Sequence, residues 1–218
     1  MLQSVDTFIF DLDHTLYDAE DVFKKMHLRM SGYVASLLDI SYDEADKIRN
    51  QFYQQYGTTL HGLMNEHNIN PHDYLDYVHD LDVSIVEKCA DTVKMIQGLP
   101  GRKLVYTNAS IEHADNILQH LEMSHLFEAI FDIKAADLIC KPNKSPYEVF
   151  IKRYDLTPEN CVMFEDTAKN LKTAREVGFK TVWMSHGRDI DENYKDYIDA
   201  TYTNVKHWLD DYYQGKRL

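Results

Sequence analysis

A short apolar run near the N-terminus ends in two carboxylates that are spaced two residues apart. The run is Phe8-Ile9-Phe10, and the carboxylates are Asp11 and Asp13. Side chains alternate between the two faces of a strand, so this spacing turns both carboxylates the same way. Two like charges that close together repel each other, and a hard divalent cation offsets that repulsion. One carboxylate can then attack a phosphorus atom while the other handles protons.

Polar side chains that follow later apolar runs supply the other groups that phosphoryl transfer needs. They are the hydroxyl of Thr107, the amide of Asn108, the ammonium of Lys141 and the acidic pair Glu165-Asp166. Thr107, the backbone amide of Asn108 and Lys141 would donate to the phosphoryl oxygens.

These residue types indicate a division of labour. Asp11 would attack phosphorus and form an aspartyl-phosphate, while Asp13 would protonate the leaving group and later take a proton from water. Mg²⁺ needs several oxygen ligands. The carboxylates of Asp11 and Asp166 and the backbone carbonyl of Asp13 would suit it, with Glu165 acting through a bound water.

The order of the elements brings these residues to one edge of a sheet. Short apolar runs alternate with amphipathic stretches of helical length, which predicts an α/β fold with a parallel sheet covered on both faces. Ligands of such sheets bind beyond the carboxyl ends of the strands. The predicted strands are 7–10, 103–106, 130–133, 161–164 and 181–184, and the predicted helices are 111–121, 146–154, 167–178 and 205–213.

Residues 18–89 have a different pattern, which predicts an all-helical insertion after the first strand. Apolar residues recur there at three- and four-residue steps, as in Val22, Met26 and Met30. Ser41 to Glu44 has the form of a capping box, and Asn70-Pro71 is typical of a helix start. The prediction is a core domain formed by residues 1–17 and 90–218, and a helical domain formed by residues 18–89.

Composition limits the partners and the setting. A formal net charge of −13 over 218 residues disfavours a nucleic-acid polymer, whereas a local lysine and a metal ion can still hold a small phosphorylated metabolite. No apolar run approaches the roughly 20 residues of a membrane span, and the first residues do not form a signal peptide. Three separated cysteines predict no disulfide framework and a cytoplasmic protein.

Taken together, the polar groups resemble the motifs of the haloacid dehalogenase-like phosphatases. In the family's order, the matching segments are Asp11-Leu12-Asp13-His14-Thr15, Thr107-Asn108, Lys141-Pro142 and Phe164-Glu165-Asp166-Thr167. The resemblance implies a Rossmann-like core, Mg²⁺, the roles given above and a mobile cap formed by the insertion. Dehalogenases proper lack the second aspartate, so Asp13 favours a phosphatase. Thr15 is expected beside the site, and Asn170 could brace it or could equally be an ordinary exposed residue.

A narrower resemblance is to the pyrimidine 5'-nucleotidase branch, and it implies substrates such as UMP and CMP. It is carried by the first motif and by the segments Tyr56-Gly57-Thr58-Thr59-Leu60-His61-Gly62-Leu63 and Tyr74-Leu75-Asp76-Tyr77-Val78-His79. Two positions depart from that branch: His14 replaces the usual asparagine, and Lys144 adds a second lysine to the third motif. Lys141 is the favoured phosphate ligand of the two.

Other functions fit the same motifs. A sugar-phosphate phosphatase or a phosphomutase is the alternative, and a catalytically silent binding protein is disfavoured because Asp11, Lys141 and Asp166 are all present. Thr58 and Thr59 would face the active site as substrate-binding residues, or would merely belong to a connection that needs Gly57. Hinges near Tyr17 and Ala90 would let the cap close and exclude water.

Overall fold

The computed structural model describes residues 5–216, and its strands form one parallel sheet. The strands are β1 (Thr7–Phe10), β2 (Arg102–Tyr106), β3 (Ala129–Phe131), β4 (Cys161–Glu165), β5 (Lys180–Met184) and β6 (Ala200–Tyr202). Their order across the sheet is β3-β2-β1-β4-β5-β6, and every neighbouring pair is parallel. The predicted α/β fold with a Rossmann-like parallel sheet is therefore confirmed.

The direction of the chain across the sheet reverses at β1. From β1 the chain moves outward through β2 and β3, and it then returns to the other side of β1 for β4, β5 and β6. A crevice opens beyond the carboxyl ends of the strands where such a reversal occurs. Asp11, Thr107 and Asp166 directly follow β1, β2 and β4, so all three lie at that edge.

The described helices are nine in number, and five of them belong to the sheet domain. The nine helices are α1 (Glu20–Leu38), α2 (Tyr42–Tyr56), α3 (Thr59–His67), α4 (Pro71–His79), α5 (Ala90–Gly98), α6 (Ile111–His120), α7 (Lys144–Arg153), α8 (Ala168–Glu176) and α9 (Val205–Tyr213). Within residues 5–216, none of the helices has both the length and the apolar character that crossing a membrane requires.

Alternate residues of the central strands pack against different helical layers. Ile9 and Met163 belong to the core that includes Tyr147 and Phe150 of α7. On the other face, Phe10 stacks on Phe164 with ring centroids 4.7 Å apart, and Phe164 contacts Trp208 of α9 at 4.4 Å. Because both faces are covered, these strands read as continuous apolar runs, which is why they could be found in the sequence.

The chain divides into two compact units, one of which is the helical segment Ala19–Ile85. Within it, α1 packs against α2 and α4, and α2 packs against α3. The capping box is present: Ser41 caps α2, and Glu44 reaches back to the Ser41 backbone. The role of this unit as a mobile cap, with hinges near its ends, stays a prediction.

The segment that carried the narrower resemblance has a structural role inside this helical unit. Gly57 ends α2 with a left-handed φ of 82°. Thr58 begins α3, since its hydroxyl accepts a hydrogen bond from the His61 backbone at 3.1 Å. A Cβ atom on Gly62 would lie 2.2 Å from Phe52, so the glycine lets α2 and α3 approach closely. The spacing of these residues therefore serves helix packing as well as any contact with substrate.

One strand of the sheet was missed by the sequence prediction. β6 has only three residues at the edge of the sheet, and its side chains are half-buried or exposed. Such a short edge strand has neither an apolar run nor a clear alternation, so periodicity does not reveal it.

A bend at Gly101, just before β2, brings the chain close to the backbone of Asp6. Gly101 has a φ of +86°, and a Cβ atom at this position would lie 2.1 Å from the backbone oxygen of Asp6. That oxygen accepts the Arg102 N–H at 2.8 Å, next to the pairing of Thr7 with Arg102.

We expect Gly101→Ala to lower the free energy of unfolding by about 3 kcal/mol, because it adds a backbone clash to an unfavourable φ. Gly187→Ala is the matched control. Gly187 has a φ of +77° but open space around its Cβ position, so only the conformational penalty of about 1 kcal/mol should remain. Urea unfolding measures both, and equal losses would show that the close approach to Asp6 is unimportant.

Candidate active site

Asp11 lies at the reversal point of the sheet, immediately after the central strand β1. Its backbone N–H donates to the Phe164 carbonyl at 2.9 Å, which fixes its position against β4. The carboxylate is buried, and it accepts from Lys141 Nζ at 2.7 Å and from the Thr15 hydroxyl at 3.2 Å. Burial, together with the charge of Glu165, raises the pKa of Asp11 to about 7, although Lys141 opposes this rise.

Lys141 is a buried ammonium shared between two carboxylates. Its Nζ lies 2.7 Å from Asp11 Oδ1 and 2.7 Å from Glu165 Oε2, and it donates to the Tyr106 carbonyl at 2.9 Å. The side chain is 1% exposed. Burial alone would lower the pKa of Lys141, but Asp11 and Glu165 outweigh burial and raise it above the ordinary value. The residue therefore keeps its positive charge inside the protein.

The loop after β2 holds the backbone of Lys141 in place. The Asn108 side chain accepts the Lys141 N–H at 2.8 Å and donates to the Lys141 carbonyl at 3.3 Å. The Thr107 hydroxyl accepts from the Ala109 N–H at 3.0 Å, and its own O–H remains a donor. The side chain of Asn108 thus has a role that the sequence did not suggest, in addition to the predicted role of its backbone amide.

Three carboxyl groups converge at this edge of the sheet. Oxygens of Asp11, Glu165 and Asp166 lie within 4.8 Å of one another, a grouping that could hold a metal ion. Burial raises the pKa of Glu165, and the neighbouring Asp166 adds to the rise. Burial also raises the pKa of Asp166, with Asp11 as the next cause. Asp11 and Glu165 share the Lys141 ammonium and Asp166 bonds Arg188, so three acids face two cations and the group favours a further positive charge.

Asp166 is oriented by two residues that follow β4 in the chain. Arg188 donates to the Asp166 carboxylate at 3.2 Å and to its carbonyl at 2.9 Å. Trp183 Nε1 donates to the same carbonyl at 2.8 Å. The sequence analysis missed Arg188, because nothing in the run Ser185-His186-Gly187-Arg188 distinguishes it from an exposed turn.

Asp13 is held by two buried donors that the sequence analysis also missed. Tyr17 donates its hydroxyl to Asp13 Oδ1 in a short hydrogen bond, and His113 Nε2 lies 3.0 Å from the same oxygen. Burial, and then the charge of Asp13, raises the pKa of Tyr17 above its usual value, so the phenol stays protonated and donates. The sequence pattern could have indicated His113, because this histidine lies on the apolar face of α6, beside Ala114 and Ile117.

The other residues predicted at the site differ in how closely they approach it. Thr15 contacts Asp11 directly. Asn170 is buried in the first turn of α8, where its backbone carbonyl accepts from the Tyr147 hydroxyl at 2.9 Å. Lys144 is exposed and pairs with Glu148 at 3.3 Å. The structure thus places Lys141, and not Lys144, against Asp11.

The nucleotidase branch usually has asparagine where this chain has His14, and the backbone conformation explains why histidine fits there. His14 has a φ of 58°, in the left-handed region. Histidine, asparagine and aspartate are the non-glycine residues enriched there. The exchange of asparagine for histidine therefore preserves the turn that separates Asp11 from Thr15.

Thr58 and Thr59 belong to the helical unit Ala19–Ile85. Thr58 caps α3, and the Thr59 hydroxyl donates to the Arg49 carbonyl at 3.4 Å. Both threonines have bonds within that unit, and their contact with a substrate stays a prediction.

Comparison with known families agrees with this geometry. The family described as haloacid dehalogenase-like hydrolase matches residues 8–184, which include every polar group described above except Arg188. The chain belongs to this family.

Curated relatives of this haloacid dehalogenase-like hydrolase include phosphatases of small metabolites. It is 23% identical to a glyceraldehyde 3-phosphate phosphatase of Pyrococcus furiosus, over 96% of this chain and 93% of that protein. It is 26% identical to a fructose-1-phosphate phosphatase of Escherichia coli, over 80% of this chain and 93% of that protein. Phosphate metabolism protein 8 of Saccharomyces cerevisiae is 26% identical over 86% of this chain, which spans 62% of the yeast protein. The pyrimidine 5'-nucleotidase branch is not confirmed by these relatives.

Solved structures confirm the fold. A phosphatase from Thermococcus onnurineus superposes with a TM-score of 0.68 at 15% identity, covering 94% of this chain and 97% of the other. At that identity the likeness concerns the fold alone.

We expect Lys141→Met to lower the free energy of unfolding by about 3 kcal/mol, because it leaves two buried carboxylates without their shared cation. Urea unfolding in EDTA measures the loss without interference from metal ions. Lys144→Met is the control, since its ammonium is exposed and should contribute little. If both variants unfolded at the wild-type urea concentration, the buried ion pairs would not be a constraint on folding.

Proposed function

We propose that this haloacid dehalogenase-like hydrolase is a phosphomonoesterase that acts through an aspartyl-phosphate. The observation that carries the proposal is the arrangement around β1. Asp11 lies at the end of the central strand beside a buried ammonium, and Asp13 lies two residues later between two donors. A nucleophile and a separate proton-handling group are therefore both present, as hydrolysis of a phosphate ester requires.

In the first half-reaction, Asp11 attacks phosphorus. A bond forms between a carboxylate oxygen of Asp11 and phosphorus, and the bond from phosphorus to the ester oxygen breaks. Asp13, protonated at this stage, gives its proton to the leaving oxygen, which departs as an alcohol.

In the second half-reaction, Asp13 works in the opposite direction. It takes a proton from water, and the resulting hydroxide attacks the phosphorus of the aspartyl-phosphate. The bond between phosphorus and Asp11 breaks, which restores the carboxylate and releases inorganic phosphate. Asp13 ends protonated and ready for the next substrate.

Three donors would stabilise the charge on the phosphoryl oxygens. Lys141 Nζ lies 2.7 Å from the attacking carboxylate, so oxygens on a phosphorus bound to Asp11 are within its reach. The Thr107 hydroxyl and the Asn108 backbone amide follow the neighbouring strand. Fixed donors of this kind stabilise a transition state without having to reorganise.

The donor set fits Mg²⁺, which prefers oxygen ligands. The carboxylates of Asp11 and Asp166 and the backbone carbonyl of Asp13 would hold it directly. Glu165 would act through a bound water, and its two oxygens accept from Lys141 and from the Thr167 N–H. When bound, the ion would neutralise the phosphoryl charge and offset the excess of carboxylates.

A small sugar phosphate is the substrate class that the relatives favour. Two of them are phosphatases of a triose phosphate and of a hexose phosphate. A pyrimidine nucleoside 5'-monophosphate is the second candidate, because the segment from Tyr56 to Leu63 resembles the nucleotidase branch. A phosphomutase would return the phosphoryl group to a substrate and release little inorganic phosphate.

We expect the wild type with Mg²⁺ to release inorganic phosphate from glyceraldehyde 3-phosphate and fructose 1-phosphate faster than from UMP or CMP. Asp11→Asn should lower kcat by about 10⁴-fold or more, because an amide is a very poor nucleophile. Its circular dichroism spectrum should match that of the wild type, since asparagine has nearly the same shape. The variant also controls for contaminating phosphatases.

Each alternative has its own outcome in this assay. If the enzyme hydrolysed UMP and CMP but no sugar phosphate, it would be a nucleotidase. Transfer of the phosphoryl group to another hydroxyl of the sugar, without release of inorganic phosphate, would indicate a mutase. Inactivity on all of these and on p-nitrophenyl phosphate would reject the proposed function, and normal activity of Asp11→Asn would reject the nucleophile.

We expect Mg²⁺ to raise the melting temperature of the wild type, because a ligand that binds only the native state stabilises it. Asp166→Asn should abolish that rise by removing a direct ligand, while Asp191→Asn, at an exposed position, should preserve it. Phosphatase activity should disappear in EDTA and return with Mg²⁺. A full Mg²⁺-dependent rise in the Asp166 variant would contradict the ligand assignment.

A further inference from the structure

We propose that His113 is a positioning residue that orients the carboxyl group of Asp13 for proton transfer. The inference rests on the proposed phosphatase function and adds to it a residue outside the four motifs. The observation is a direct contact: His113 Nε2 lies 3.0 Å from Asp13 Oδ1, and the His113 side chain is 0% exposed. A polar ring this deeply buried has a fixed orientation, and its hydrogen bond restricts the orientation of the Asp13 carboxyl group.

His113 is itself held by the loop that contains Thr107 and Asn108. Its backbone N–H donates to the Ser110 hydroxyl, which caps α6, at 3.4 Å. The N–H of Ile111, the first residue of α6, donates to Asp132 Oδ2 at 2.9 Å. The loop that would bind the phosphoryl group therefore also sets the position of the ring against Asp13.

Both donors to Asp13 contact the same oxygen. Tyr17 donates to Oδ1, and His113 Nε2 lies 3.0 Å from the same oxygen. A carboxylate oxygen only accepts, so His113 donates to it in the tautomer that has its proton on Nε2. Two hydrogen bonds make Oδ1 the weaker base and favour Oδ2 as the atom that takes and returns the proton. They also oppose rotation of the carboxyl group, and a displacement of about 1 Å in such a group can cost about a hundredfold in rate.

The structure offers a conservative and a disruptive substitution at this position. The side-chain amide nitrogen of glutamine can occupy the place of Nε2, whereas the shorter asparagine places its amide near the Nδ1 position. His113→Gln should therefore preserve the bond to Asp13, and His113→Asn should lose it. His120→Asn is the control for packing, because His120 lies on the same helix and contacts the Val86 carbonyl at 2.8 Å.

The two half-reactions separate a positioning role from a structural one. The leaving group of p-nitrophenyl phosphate departs without a proton, so formation of the aspartyl-phosphate should survive in His113→Asn. Hydrolysis of the aspartyl-phosphate still needs Asp13 to accept a proton, so this step should slow. We expect a rapid burst of p-nitrophenol close to one per enzyme, followed by a steady state about 10- to 100-fold below wild type. KM should fall along with kcat.

An alkyl phosphate gives the complementary result. Its leaving oxygen needs the proton from Asp13, so His113→Asn should slow both half-reactions and should show no burst. His113→Gln should retain most of the wild-type kcat on both substrates, and His120→Asn should behave as the wild type does.

The possible results distinguish a failure of this inference from a failure of the proposed phosphatase function. An inactive wild type would reject the function itself, and with it the inference. An active wild type with a His113→Asn variant of equal kcat would overturn the inference and leave the function intact. Equal losses of kcat in His113→Asn and His113→Gln, without a burst, would also overturn the inference. They would indicate that His113 has only a structural role. Slow turnover with a burst, rescued by glutamine, is the result we expect.

Discussion

The carboxylates of Asp11 and Glu165 share one buried ammonium, that of Lys141. The rest of the sheet edge depends on this constraint. Lys141 comes from the segment between β3 and α7, Asp11 follows β1, and Glu165 ends β4. Each of these charges would be costly to bury alone, because desolvation is offset only when the partners meet in good geometry. The three segments must therefore come together for any of them to be buried. Asn108 ties a fourth segment to the same point by bonding the Lys141 backbone.

The sequence was sufficient for five of the six strands and for the polar residues that follow β1, β2 and β4, because both leave local signals. Strands covered on both faces are continuous apolar runs. Asp11, Thr107 and Asp166 directly follow three of them, whereas Lys141 lies in the longer segment after β3. The contacts of Tyr17, His113 and Arg188 depend instead on residues brought together by folding, such as His113 and Asp13 at a sequence distance of 100. β6 was missed for a different reason, since three half-exposed edge residues have no periodicity to detect.

The groups proposed for the chemistry and the segments proposed for substrate choice lie in different parts of this chain. The groups proposed for phosphoryl transfer all belong to the sheet domain, and they lie within residues 8–184, the range that matches the haloacid dehalogenase-like hydrolases. The narrower resemblance lies mostly in Ala19–Ile85, where Gly57, Thr58 and Gly62 also serve the packing of helices. A motif that a helical unit needs for its own folding is weak support for one particular base or sugar. For this physical reason, sugar phosphates, the substrates of the relatives, are better supported than the pyrimidine nucleotides that the narrower resemblance implies.

The pairing of β1 has a consequence for the order of assembly during synthesis. Thr7 pairs with Arg102 and with Cys161, so the middle strand leaves the ribosome long before either neighbour exists. Such distant pairings form slowly, whereas α1 to α4 contact one another within a short stretch of chain and can associate early. Until Lys141 and Glu165 have been made, Asp11 is an ordinary solvated carboxylate. The environment proposed to make Asp11 reactive thus forms only when the sheet is almost complete.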